Sequence, residues 1–101
     1  MRHLVYITIP HEPFNSYVRD GSVGQKIGRI MEETKPEAAY FSAVAGQRGG
    51  VMVYDLEKAS DIPSIAEPWF LTFEADCDFQ PCMSPEDLAN AGLDALGEKW
   101  G

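Results

Sequence analysis

Two kinds of apolar pattern alternate along this chain, and their order limits the folds that it can adopt. Residues 4–9 are rich in β-branched residues and predict a strand, and three further short segments, 37–44, 51–56 and 76–81, are also predicted as strands. Between the first two runs, and again between the last two, apolar residues recur every three or four positions, which is typical of a helix packed on a sheet. The order predicts an α+β, ferredoxin-like fold, with both helices on one face of a four-stranded antiparallel sheet.

The two helices carry different boundary signals. Asn15 or Ser16 can cap a first helix that ends before Pro36. The second helix covers the apolar stripe from Ile62 to Phe73. Pro68 lies within this stripe and lacks an amide hydrogen, so we expect a kink or a broken last turn there.

A short helix is also predicted after the last strand. Ser84 can cap it, Pro85 suits its first position, and Asp87 can bond back to the cap. Gly92 or Gly97 can end it. The sequence therefore adds a C-terminal helix to the ferredoxin-like order.

Size, charge and cysteine usage restrict the possible partners. The 101 residues suit one domain, to which we assign residues 1–101. The net charge of −8 opposes binding to nucleic acid or to an acidic membrane surface. Cys77 and Cys82 lack the spacing of a metal site, and the first apolar run is too short for a signal peptide or a membrane span. We expect a cytoplasmic protein without metal or cofactor.

The hairpin between the second and third strands determines which residues share a face of the sheet. We place AGQRGG, residues 45–50, at its tip, so that Val44 lies opposite Gly50. The face left without helices would then carry Tyr6, Thr8, Tyr40, Ser42, Met52 and Tyr54. Exposed patches of this kind usually mark an interface, so we expect a homodimer that packs through these faces.

Four segments in this chain also carry a family resemblance. KPEAAYF, GQR, DIPSIAEPWF and MSPEDLA resemble, in this order, a group of small uncharacterised bacterial proteins of the dimeric α/β-barrel superfamily. That superfamily includes cofactor-free quinone-forming monooxygenases, muconolactone isomerases, haem-binding enzymes and stress-response proteins. The resemblance implies the fold and the dimer, but no catalytic motif can be carried over. His3 and His11, the histidines available as haem ligands, have no recognisable haem-site context.

An arginine at the hairpin tip indicates a ligand site. If the first and third strands run parallel, His3 and Arg48 lie at the same end of the sheet, and the second helix brings Glu67 and Trp69 there. A small aromatic or anionic ligand could then bind with Arg48 as anion clamp, Trp69 or Tyr40 as stacking wall and Glu67 as acceptor or base. Alternatively, Arg48 and Glu67 form an ion pair that only fixes the hairpin.

These residues leave three functions open. The first is a homodimer that binds a small aromatic or anionic metabolite. The second is a cofactor-independent oxygenase or isomerase acting on a phenolic or lactone substrate, with tyrosine, histidine or glutamate moving protons. The third is a structural dimer without a ligand. A phosphate-binding P-loop is excluded, since AGQRGG leads into a strand and lacks the lysine and hydroxyl of that motif.

Overall fold

A four-stranded antiparallel sheet forms the centre of the protein, whose residues 1–101 are all described by a computed structural model. The strands are β1 (Arg2–Ile9), β2 (Ala38–Val44), β3 (Gln47–Asp55) and β4 (Asp76–Pro81). They lie in the order β2-β3-β1-β4, and every neighbouring pair is antiparallel. This arrangement confirms the predicted α+β class and is consistent with a ferredoxin-like fold.

Five helices accompany the sheet. They are α1 (His11–Asp20), α2 (Val23–Thr34), α3 (Ile62–Phe73), α4 (Pro85–Ala89) and α5 (Leu93–Trp100), with a 3₁₀ turn (Ala59–Asp61) before α3. None of them is long and apolar enough to cross a bilayer.

Two helices occupy the segment in which we expected one. Gly21 adopts a left-handed conformation with φ 83° and ends α1, because its amide donates back to the carbonyls of Tyr17 and Val18. The helix around Pro68, by contrast, continues unbroken to Phe73, so the expected broken turn is wrong. Burial of Trp69 and Phe73 on its inner face offsets the missing hydrogen bond, whose loss costs about 3 kcal/mol.

The core lies between the sheet and helices α1–α3. Alternate residues of β1 point into it, and the aromatic rings of Trp69 and Phe73 fill its centre. Its buried members are Val5, Ile7, Ile9, Ile30, Met52, Tyr54, Leu56, Ile65, Trp69, Phe73 and Ala75.

The hairpin between β2 and β3 is tighter than the sequence pattern predicted. Val44 pairs with Gln47 rather than lying opposite Gly50. Ala45 and Gly46 both have positive φ, 54° and 78°, which is the geometry of a two-residue type I′ turn. The four residues Gln47 to Gly50 therefore belong to β3 and not to the turn.

This register changes which residues of β3 face the helices. Met52 and Tyr54 lie in the core, 0% and 4% exposed, so their predicted place on the open face is wrong. Val51 and Val53 take that place. The open face does carry Tyr6, Thr8, Tyr40 and Ser42, as predicted.

The last part of the chain extends away from the sheet. We call residues 82–101 the C-terminal arm; every residue from 85 onward is exposed. Ser84 caps α4 as predicted, because its Oγ accepts the amide of Asp87 at 3.1 Å while the Asp87 carboxylate accepts the amide of Ser84 at 3.0 Å. The radius of gyration is 17.2 Å, whereas a compact chain of this length has about 13 Å.

Candidate functional site

The direction of β3 separates two residues that the sequence placed together. β1 and β3 are antiparallel, so His3 pairs with Tyr54 and Ile9 pairs with Arg48. The prediction of parallel strands was wrong, because in this topology the third strand runs between the first two in the opposite direction. His3 and Arg48 therefore lie near opposite ends of β1, six residues or about 20 Å apart.

Arg48 is held by two residues of α1. Its Nη1 donates to the Asn15 Oδ1 at 2.7 Å, and its Cζ lies 4.4 Å from the centre of the Phe14 ring. No carboxylate lies within 4 Å of it, since the ion pairs in the chain involve other groups. The predicted alternative of an ion pair with Glu67 is therefore wrong.

Two clefts lie on either side of β3 at Arg48. The first, of ≈ 260 Å³, opens on the helix side of the sheet and has a mainly apolar wall. The second, of ≈ 250 Å³, opens on the uncovered face. Arg48, Ser42 and Gly49 line both clefts. The apolar wall of the first cleft is formed by Ile9, Phe14, Ile27 and Phe41.

Two glycines shape the strand between these clefts. A Cβ at Gly49 would lie 2.6 Å from the carbonyl oxygen of Ile7, and one at Gly50 would lie 2.7 Å from that of Tyr40. The neighbouring strands thus approach β3 too closely for a side chain. Because Gly49 pairs with residues of the open face and has no side chain, it leaves a hollow there.

Trp69 and Glu67 lie elsewhere. Trp69 is fully buried, with its ring centre 5.7 Å from that of Phe73, so it cannot serve as the wall of a ligand cleft. Its indole nitrogen has no hydrogen-bond partner, a cost of about 1–3 kcal/mol in a core. Glu67 lines a groove between α2 and α3 and takes no part in the Arg48 clefts. Tyr40 lies on the open face, 70% exposed, opposite Val51.

At the other end of the sheet, a cleft of ≈ 310 Å³ opens beside Thr34 and Tyr54, and the polar groups around it contact each other. His3 is buried, and its Nδ1 lies 3.0 Å from the carbonyl oxygen of Met1. The hydroxyl groups of Tyr54 and Thr34 share a hydrogen bond of 2.7 Å, and burial raises the pKa of Tyr54 above its ordinary value. This end has polar groups that are already paired, and none of them faces Arg48.

Two residues of the site were missed by sequence reasoning. Asn15 was assigned as a possible helix cap, whereas it lies within α1, which supplies both Phe14 and Asn15 to Arg48. A signal was present: Phe14 and Tyr17 are aromatic residues at a helical spacing of three, and both pack against Phe73.

The remaining reactive side chains form no second centre. Burial raises the pKa of the Cys77 thiol to about 11, which keeps it protonated at neutral pH. No group of three or more His, Cys, Asp or Glu side chains is placed to hold a metal ion.

Comparisons with known protein families and with curated proteins found no match for this chain. The family resemblance in the sequence therefore stays a prediction, and the geometry at Arg48 carries the functional argument. An apolar cleft with one guanidinium at its wall can bind a small carboxylate that has an apolar or aromatic body.

Proposed function

We propose that this protein is a cytoplasmic homodimer that binds a small aromatic or apolar carboxylate beside Arg48. The observation that carries the proposal is that Arg48 has no carboxylate partner in a chain of net charge −8. Its contacts are a neutral amide and an aromatic ring, so its charge is not neutralised. A guanidinium has five N–H donors, and Asn15 takes one of them.

The cleft on the helix side fits the body of such a ligand. Its volume of ≈ 260 Å³ is below the range of drug-sized sites, which favours a ligand with a single ring. The side chains of Ile9, Ile27 and Phe41 offer an apolar surface. A carboxylate could accept two parallel N–H bonds from Arg48 while its ring packs against these groups.

A second copy would complete the site on the open face. Tyr6, Tyr40 and Val44 are exposed there, beside the half-buried Val51 and Val53. Exposed apolar patches on a sheet are typical of interfaces. Packing two such faces together would cover these side chains and roof the hollow at Gly49, which adjoins Arg48.

The enzyme alternative has less support in this geometry. It needed a tyrosine, a histidine or a glutamate to move protons; His3 and Glu67 line neither cleft at Arg48, and Tyr6 lines the one on the open face. The remaining alternative is a structural dimer without a ligand, and the binding experiment below distinguishes it from the proposal.

The test is binding of benzoate and 4-hydroxybenzoate, with neutral benzamide as the ligand control, by thermal shift and titration calorimetry. Arg48→Gln should weaken benzoate binding about 10- to 100-fold, because a charge-assisted pair is lost. Arg48→Lys should retain part of the affinity, since it keeps the charge but not the planar fork. Lys35→Gln, which removes an exposed cation outside both clefts, should bind like the parent.

Two results would contradict the proposal. Equal binding by Arg48→Gln and the parent would remove Arg48 from the site. Absence of binding by benzoate, 4-hydroxybenzoate and a panel of other aromatic and alkyl carboxylates would favour the structural dimer. Circular dichroism of each variant checks that the fold is retained, because Arg48 also packs on Phe14.

A further inference from the structure

The two edges of the sheet differ in composition. The strand order leaves one side of β2 and one side of β4 without a neighbouring strand. β4 carries Asp76 and Asp78 and ends in Pro81; charged residues and proline are the usual means by which an edge strand avoids pairing with another chain. β2 has the sequence AAYFSAV, with neither feature, and residues 38–47 contain no charged side chain. The β2 edge is therefore open to pairing, whereas the β4 edge opposes it.

β2 is exposed on both of its faces as well as along its edge. Tyr40 and Val44 lie on the open face, and each is 70% exposed. Phe41 points to the helix side and lines the apolar cleft at Arg48, yet it is 52% exposed. Ala43, on the same side, is exposed too. The helix layer therefore leaves space beside β2 for another strand.

The two-residue turn determines which backbone groups of β2 point outward. In such a hairpin the residues that flank the turn, here Val44 and Gln47, exchange hydrogen bonds, and bonded and non-bonded pairs alternate from there. Ser42 and Tyr40 therefore also bond to β3, and the carbonyl oxygen of Tyr40 accordingly lies 2.7 Å from the position of a Cβ on Gly50. The residues between them direct their N–H and C=O groups away from β3; they are Ala39, Phe41 and Ala43.

These outward groups are symmetric about the middle of the strand. Phe41 is the central residue of the seven in β2, with Ala39 two positions before it and Ala43 two positions after it. In an antiparallel pair with a second β2, Phe41 would lie opposite Phe41, and Ala39 would lie opposite Ala43 of the second copy. At each of these positions the opposite residues exchange both N–H···O bonds, so every outward group finds a partner.

The side chains also suit this pairing. On the helix side, small alanines flank the two Phe41 rings, and aromatic cross-strand pairs stabilise a sheet. On the open face, Tyr40 would lie opposite Ser42 of the second copy. Two copies with a net charge of −8 each repel one another, and an uncharged strand is the part of the surface at which this repulsion is weakest. The β2 edge is thus complementary to itself.

We propose that β2 pairs antiparallel with β2 of a second copy, centred on Phe41, and joins the two sheets into one. Each copy has one such edge, so pairing at this edge stops at two copies. The contact uses a different surface from the proposed packing of the open faces and does not depend on it. A single strand pair belongs to the interfaces below about 1,200 Å², which are weak and transient. The contact therefore forms at millimolar rather than micromolar protein concentration.

Exchange of single amide hydrogens with water, measured by NMR on the full-length protein, tests this contact. The rates are compared between tens of micromolar and millimolar concentration. The amides of Ala39, Phe41 and Ala43 should exchange several-fold more slowly at the higher concentration, because pairing gives them acceptors. The amides of Tyr40 and Ser42 should change little, since they are already bonded to β3. An alternating pattern along one strand is the expected result.

Three results would overturn the proposal. The first is an exchange rate at Ala39, Phe41 and Ala43 that does not depend on concentration. The second is a slowing shared equally by all amides of β2, which would reflect a change in stability rather than pairing. The third is a loss of the alternating pattern in Val53→Glu, because it would assign the protection to packing of the open faces. Retention of the pattern in Val53→Glu would support the edge contact independently of the proposed face-to-face dimer.

A substitution at Ala43 tests the outward groups directly. Ala43→Pro removes an outward amide and no bond to β3, and proline is tolerated where the N–H of an edge strand faces solvent. It should remove most of the concentration dependence at Ala39 and Phe41. Ala43→Val is the matched control, because it keeps the amide and should pair like the parent. Unchanged concentration dependence in a folded Ala43→Pro protein would overturn the proposal; if this variant does not fold, the rates of the parent decide.

Discussion

Along β1, Val5, Ile7 and Ile9 are almost completely buried, whereas Tyr6 and Thr8 between them are exposed. The two faces of the sheet thus differ in what covers them, although both carry apolar side chains. On the helix side the chain supplies its own cover through α1–α3. On the open side it supplies none, and every residue of the C-terminal arm from 85 onward is exposed. Within one chain, therefore, only one face of the sheet is covered.

The charged groups follow the same division. At the end of the sheet that holds His3, Arg2 and Glu37 form an ion pair at 3.0 Å, and the His3 ring lies within hydrogen-bond distance of a backbone carbonyl. At the other end, Arg48 faces two clefts without a carboxylate. The polar groups at the first end are thus paired within the chain, whereas the guanidinium of Arg48 contacts a neutral amide and an aromatic ring.

Placing a carboxylate on each face gives the largest expected effect. Met52→Glu buries a charge in a fully enclosed site, which costs several kcal/mol or more and should abolish most of a stability of about 5–15 kcal/mol. Val53→Glu places the same group on the open face, so we expect a folded protein that sediments as a monomer. Circular dichroism and sedimentation velocity measure the two outcomes. A Val53→Glu protein that still sediments as the parent dimer would show that the open face is not the interface.

Glycine replacement tests how closely the strands approach each other. Gly50→Ala should lower the free energy of unfolding by about 1–3 kcal/mol, because its Cβ meets the carbonyl oxygen of Tyr40 at 2.7 Å. Gly28→Ala is the control: no atom lies within 4 Å of its added Cβ, and alanine in a helix should stabilise by about 1 kcal/mol. Urea unfolding of both variants gives the comparison. Equal stability of Gly50→Ala and the parent would contradict the close strand approach.

The smallest effect is confined to alkaline pH. Cys77 faces the helices, and burial raises the pKa of its thiol from 9.0 to about 11. Below pH 9 the thiol is protonated in both states; between pH 9 and 11 the unfolded chain loses this proton more readily, so the free energy of unfolding should fall as pH rises. Cys77→Ala should reduce this slope in urea titrations between pH 7 and pH 10, whereas Cys82→Ala should not. An unchanged slope in Cys77→Ala would assign the effect to another group, with Tyr54 the first to examine, since burial also raises its pKa.

Local signals in the sequence predicted local structure well. β4 occupies Asp76–Pro81 as expected, and Ser84 and Asp87 form the predicted capping box, because both features depend on neighbours within a few residues. The order of strands and helices also follows from apolar periodicity, which is why the fold class could be predicted.

The candidate site could be predicted only in part, since it depends on strand direction and register. Arg48 was identified, but His3 was assigned to the same end because β1 and β3 were taken as parallel. The apolar stripe that includes Trp69 predicts a helix, but it does not show that the core fully encloses this indole ring. Asn15 was interpreted as a cap, and nothing local indicates that it would reach Arg48 33 residues away.

The two-residue turn at Ala45 and Gly46 gives the chain an unusual sensitivity to length. Side chains alternate along a strand, so one inserted residue in this turn would exchange the two faces of β3. Val51 and Val53 would then point to the helices, and Met52 and Tyr54 would point outward. Both sets are apolar enough to accept either place, so hydrophobic pattern alone does not distinguish the two registers. Variants of this protein should therefore tolerate substitutions in the hairpin far better than insertions or deletions, because a change of length would exchange the residues that β3 presents to the two faces of the sheet.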